Sequence, residues 1–130
     1  TQSKGGREEW QITADQLTTA PQDESELHLE GVNAVMFGNG ERRLQVSSEQ
    51  AVYEGDNLVL ILVDDVKVQL RKGYELRTEV LRYLDRDRKI ETGAPVRLVG
   101  RDLMVRGQGM AYDLEAGSYS VGGRVTVLLK

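Results

Sequence analysis

Three segments of this 130-residue chain repeat one pattern at spacings of 30 and 29 residues: Leu44-x-Val46-x-Ser48-x-x-Ala51-x-Tyr53, Tyr74-x-Leu76-x-Thr78-x-x-Leu81-x-Tyr83 and Leu103-x-Val105-x-Gly107-x-x-Met110-x-Tyr112. A fainter copy, Trp10-x-Ile12-x-Ala14-x-x-Leu17-x-Thr19, precedes them by 34 residues. In each copy two apolar residues alternate, a small residue follows, and the apolar phase then shifts by one before an aromatic residue or Thr. Such a shift sends strand side chains to the opposite face unless the backbone bulges or bends, which a small residue tolerates. A unit of this length that cannot bury its apolar face alone must stack on its neighbours.

Alternation at period 2 runs through most of the chain, as in Val66, Val68, Leu70; Val96, Leu98; and Val125, Val127, Leu129. That is the signature of half-buried strands. Turn signals lie between the runs: Gly38-Asn39-Gly40, Gly55-Asp56-Asn57, Lys72-Gly73, Asp85-Arg86-Asp87-Arg88 and Ala116-Gly117-Ser118, each short enough for a hairpin. The return strands are expected over 27–37, 58–70, 90–99 and 118–127. Only Glu75 to Leu84 also fits helical spacing, through Leu76, Val80, Leu81 and Leu84. The expected fold is all-β: a bent antiparallel jellyroll, trough-like, built from repeated hairpins, with residues 1–9 a tail and 10–130 the domain. Its inner lining would be aliphatic and suited to flexible acyl chains, although alternating aliphatics also make an ordinary sandwich core.

Two runs depart from the alternation. Leu58-Val59-Leu60-Ile61-Leu62-Val63 is apolar on both faces, which places it at the centre of the sheet, covered on each side or facing a partner. Arg124 to Lys130 is a strand at the end of the chain as given, able to pair with another molecule's edge through the segment bearing Val125, Val127 and Leu129.

Composition removes much chemistry. The chain has no Cys and one His, so disulfides, thiol nucleophiles, Cys-based zinc sites and His-pair metal sites are excluded. With 17 Lys+Arg against 21 Asp+Glu, the net charge of −4 does not draw it to nucleic acid. Asp64-Asp65 and Asp85 with Asp87 are the nominal carboxylate pairs, yet 21 acidic residues supply such pairs by chance. Asp64-Asp65 reads as a solvated turn after the apolar run or as the entry to the next strand. His28, between Leu27 and Leu29, reads as an exposed strand residue. Gly107-Gln108-Gly109 lacks the third glycine and the helix of a nucleotide-binding loop. No catalytic residue, metal ligand or cofactor is nominated. Arg82, Arg86, Arg88 and Lys89, with Arg71, Lys72 and Arg77, are interleaved with acids and read as a mixed surface, or as cations meeting headgroup phosphates at a trough rim.

Gly73-Tyr74-Glu75-Leu76-Arg77-Thr78-Glu79-Val80-Leu81-Arg82-Tyr83, then Ile90-Glu91-Thr92-Gly93-Ala94-Pro95-Val96-Arg97-Leu98-Val99-Gly100, then Val105-Arg106-Gly107-Gln108-Gly109-Met110-Ala111-Tyr112-Asp113 resemble the LptC family, the periplasmic component of the lipopolysaccharide exporter, related to OstA-like repeat proteins. Trp10-x-Ile12-x-Ala14 and Gln50-Ala51-Val52-Tyr53 extend the resemblance over nearly the whole chain from about residue 10. It implies a conduit that receives lipopolysaccharide from the inner-membrane ABC transporter (LptB-LptF-LptG type) and passes it to an LptA-like bridge protein. Docking would run through strand edges, the C-terminal one meeting the bridge, and head-to-tail self-association is possible through the same strand. Family members lie in the periplasm on an N-terminal membrane helix absent from this chain. The parent is thus either a truncated anchored subunit or a soluble LptA-like bridge, and a non-lipid interaction module is the remaining alternative. The in-phase residues expected against acyl chains are Ile12, Leu29, Leu44, Val46, Leu60, Leu62, Val66, Val68, Leu76, Val96, Leu98 and Val105.

Overall fold

A computed structural model describes residues 2–4, 8–20, 23–38, 41–70 and 73–130. The hairpin turns expected at 38–40 and 72–73 lie partly outside them, as do Arg71 and Lys72. Eleven strands are found among the described residues: β1 (Gln2–Lys4), β2 (Glu8–Thr13), β3 (Gln16–Ala20), β4 (Asp23–Gly38), β5 (Glu41–Glu54), β6 (Val59–Gln69), β7 (Glu75–Leu84), β8 (Lys89–Val99), β9 (Leu103–Asp113), β10 (Ser118–Val121) and β11 (Thr126–Leu129). β2 begins within the segment read as a tail. Glu75 to Leu84, which also fitted helical spacing, is strand β7.

The strands form one antiparallel sheet in chain order, with β3 beside β2 on the edge of β4 and β11 beside β10 on the edge of β9. β6 stands in the middle, as its two-sided apolar run suggests. Val59, Ile61 and Val63 on its outer face are half-buried.

The phase shift of the repeat is visible as a crease across the sheet. Pairing registers slip between Ser47 and Gln50, Val63 and Val66, Arg77 and Arg82, and Thr92 and Pro95. At the margins the same line separates β2 from β3 and β10 from β11. Gly31 (φ 63°) and Gly109 (φ 95°) lie on it. So do Asp64 (φ 68°) and Asp65 (φ 51°), a left-handed pair inside β6; of the turn and the strand entry expected there, the strand holds. Asp enters this region more readily than most residues because its short side chain bonds locally. The small residues are fixed by hydrogen bonds: Ser48 Oγ donates to the Gln50 carbonyl and Thr78 Oγ1 to that of Pro95.

The crease explains how a single sheet acquires an interior. Central inner-face residues on both sides of it, including Val46, Leu62, Val66, Leu76 and Leu81, are 0–2% exposed and belong to one core cluster. A flat sheet cannot hide its own face, so the two halves fold over and bury each other's side chains. Each such Val or Leu contributes about 1.5–3 kcal/mol.

The hairpin turns repeat as well. Residues 55–58, 85–88 and 114–117 form turns ending in left-handed Leu58, Arg88 and Gly117. The turns stack: the N–H of Asp85 donates to the Leu58 carbonyl (3.1 Å) and that of Leu114 to the Arg88 carbonyl (3.0 Å). Tyr83 and Asp85 join below the stack, the phenol donating to Oδ1 at 2.7 Å.

Candidate functional site

Cross-strand registers sort the inner face into rows. On one side of the crease a single row runs Ile12, Ala34, Val46, Val68, Leu76, Leu98, Val105, Val127, each residue opposite the next. It crosses eight strands without a polar residue. Next to the crease, Val32, Val66 and Val96 add a second buried layer. On the other side Leu17, Leu29, Ala51, Leu62 and Leu81 stand opposite one another in turn. Thr92, Met110 and Val121 continue across the last strands. The outermost row is Thr19, Leu27, Tyr53, Leu60, Tyr83, Ile90, Tyr112, Tyr119.

Of the residues expected against acyl chains, Leu44, Val46, Leu60, Leu62, Val66, Val68, Leu76, Val96 and Leu98 are buried core residues, and Leu29 and Val105 pack partly buried against them. Ile12 occupies the same row but is 37% exposed. Burial falls toward both margins: Val68 is 2% exposed and Val127, on the same row, 52%. The interior is therefore shut at its middle strands and open at both ends.

The terminal segment is divided by the structure. Leu129 stands opposite Leu103 and Val127 opposite Val105, so β11 uses one edge on β9. Val125 lies before the strand, beside Gly107. Val125, Val127, Leu128 and Leu129 are all exposed. Gly107 and Gly109 serve this junction: a side chain on Gly107 would strike Val121 and the Gly122 carbonyl, while Gln108 N–H donates to Gly122 O and Gly122 N–H to Gly109 O.

The remaining nominated groups lie apart on different elements among the described residues: Asp64 and Asp65 in β6, Asp85 and Asp87 in the turn before β8, His28 in β4. Asp85 is buried under Tyr83 and Asp87 is exposed. His28 is exposed, with Nε2 2.8 Å from Glu26 Oε1. Arg82 lies 3.6 Å from Glu91. Arg77 donates to Glu75, and this hydrogen bond, with help from Gln69, holds the Glu75 carboxyl below the usual carboxylate range against a smaller opposing effect of burial. No group of three or more metal-ligating side chains is found among the described residues.

Of the outermost row only Leu60 is among the nominated residues; its tyrosines are not. Its signal was present: the repeat ends on Thr19, Tyr53, Tyr83 and Tyr112, which the register brings into one line. Tyr112 stacks on Tyr119 at 6.2 Å between ring centres, 4° from parallel. Ala51, Leu81 and Met110, the positions after the phase shift, were passed over for the same reason: they change face in an uninterrupted strand and return to the inner face through the bulge.

No curated protein matches the chain. Among solved structures it is similar to LptH of Pseudomonas aeruginosa, described as the LptA homologous periplasmic component of the conserved lipopolysaccharide transport device. That likeness has a TM-score of 0.69 at 9% identity over 94% of this chain and 95% of that one, and it concerns the fold. The family model for lipopolysaccharide-assembly, LptC-related proteins matches residues 1–129. With the creased sheet, its apolar rows and a match over almost every residue, this chain belongs to the LptC-related family of lipopolysaccharide-assembly proteins.

Proposed function

We propose that the domain is a passive conduit for lipopolysaccharide acyl chains, taking them at one margin of the folded sheet and releasing them at the other. The supporting observation is the unbroken apolar row from Ile12 to Val127, buried at its middle and exposed at both ends. An acyl chain laid on an exposed end gains about 0.8 kcal/mol per CH₂ removed from water. To travel inward it must part the two halves. The crease suits that motion, because the strand registers already slip there and ladder bonding is interrupted. No chemical step is assigned to any side chain, so the drive for directional movement comes from a partner. In this reading the free edge of β11, with Val127 and Leu129, receives the bridge protein, and the β1–β3 margin faces the inner-membrane transporter. Periplasmic tethering by a preceding membrane helix belongs to the same proposal; no helix of the described residues is long and apolar enough to cross a membrane.

Photo-crosslinking tests the conduit. A crosslinker at Val127, Ile12 or Val68 is expected to capture lipopolysaccharide, and Val127→Arg, at a site already half exposed, should lower capture at Val68 while the far-ultraviolet spectrum stays unchanged. Absence of adducts at all three positions in the folded protein would overturn it. The 0–2% exposure of the central core favours a second reading, an interaction module whose interior stays shut. That reading expects no copurifying lipid and loss of partner binding on deleting Val125 to Lys130.

A further inference from the structure

The outer face carries a feature the conduit does not use. Lys67, Arg77, Arg97 and Arg106 stand directly opposite one another on four adjacent strands, β6 to β9. Like charges in direct opposition destabilise a sheet, and partition by chance would have spread them. At ~4.8 Å per strand the row spans about 14 Å. Arg77 is held by Glu75, and Lys67 lies 3.9 Å from Asp65. Arg97 and Arg106, both exposed, form no ion pair among the described residues.

Two further observations give the row a direction. Residues 1–65 carry 4 Lys/Arg and 13 Asp/Glu, a net −9, whereas 66–130 carry 13 and 8, a net +5. Because strand order follows chain order, the cation row lies in the positive half of an acidic molecule. Arg77, Arg97 and Arg106 also line an open concavity of about 490 Å³, together with Asp65, Thr78, Glu79, Pro95, Val96 and Gly107. The adjoining outer row runs from Gln69 and Glu75 on β6 and β7 to an apolar end on the last strands, Val99 opposite Met104 and Met104 opposite Leu128, the last exposed.

We propose that this face docks on an anionic phospholipid bilayer, Arg97 and Arg106 binding headgroup phosphates at the concavity and Leu128 entering the interfacial region. Guanidinium forks match phosphate oxygens in pairs, and exposed apolar residues beside cations are the composition of an interfacial contact. The arginines and Leu128 lie on the opposite side of the sheet from the apolar rows, so this contact stands whether or not the interior takes acyl chains.

Vesicle sedimentation of the full chain tests it. Binding is expected to vesicles containing about 30% phosphatidylglycerol and not to pure phosphatidylcholine, weakening as salt rises from about 0.05 to 0.5 M. Each neutralised cation should cost about fivefold, so Arg97→Gln with Arg106→Gln lowers affinity roughly 25-fold. Arg86→Gln with Lys89→Gln, the same change in net charge at an exposed turn residue and the exposed first residue of β8, should leave binding within about twofold. Equal loss in both double variants, equal binding to both vesicle types, or no binding by the native chain would overturn the proposal, the last leaving the row to an acidic protein surface.

Discussion

Val68 and Val127 are the same residue type, face the same way and belong to the same cross-strand row, yet one is sealed and the other half exposed. The difference is not in the residue but in what folds over it. β6 is a long strand that continues through the crease, so each half has a partner layer. β10 and β11 are four residues each, separated at the crease, and the sheet ends beside them. Hydrophobic pattern decides which way a side chain points. Position in the stack decides whether water is removed from it.

The largest expected contrast is between Leu76→Ala in the middle and Leu129→Ala at the margin. The first leaves a cavity and should cost about 2–5 kcal/mol; the second, at 78% exposure, should cost less than about 0.5 kcal/mol. Urea unfolding of both variants measures this, and similar costs would erase the distinction between centre and end. Next comes the crease itself. Gly31→Ala should cost about 1–3 kcal/mol, since Gly31 has φ 63° and a Cβ there would collide with the Asp15 carboxylate. Combining it with Asp15→Ala separates collision from backbone strain, and full recovery would mean that strain contributes nothing. Tyr83→Phe removes the donor to buried Asp85 and should destabilise by about 1–2 kcal/mol, read by thermal unfolding.

The smallest effect concerns Glu75. Because its folded pKa is lowered, its contribution is full at neutral pH and is lost as pH falls through that lowered value. Arg77→Gln should move the Glu75 titration, followed by NMR, back toward the ordinary carboxylate value. An unmoved titration would assign the shift to Gln69 and Lys67.

Legibility in the sequence followed the same division. The phase shift at Ser48, Thr78 and Gly107 announced the crease because only a bulge lets Val46 and Ala51 share a face; the inward residues before the shift were legible, while Ala51, Leu81 and Met110 after it were not. What pattern could not supply was coverage: Ile12 and Val68 look alike in sequence. Nor could it choose for Asp64-Asp65 between a turn and a strand entry, since two left-handed residues inside β6 have the local chemistry of a turn. The cation row was hidden for a different reason. Lys67, Arg77, Arg97 and Arg106 are separated by 10, 20 and 9 residues, and only the register makes them neighbours.

The stacked turns carry one more consequence. Leu58 and Arg88 each present a carbonyl to the next turn, the three turns recurring at intervals of 30 and 29 residues, and from β4 to β10 hydrogen-bonded pairing runs from each strand to its successor. Stability is then approximately additive along one axis, like links in a chain, and loss of order starts at the termini and proceeds inward. Such an array can be lengthened or shortened by whole hairpins while its cross-section stays untouched, so the number of units sets the length of the apolar rows.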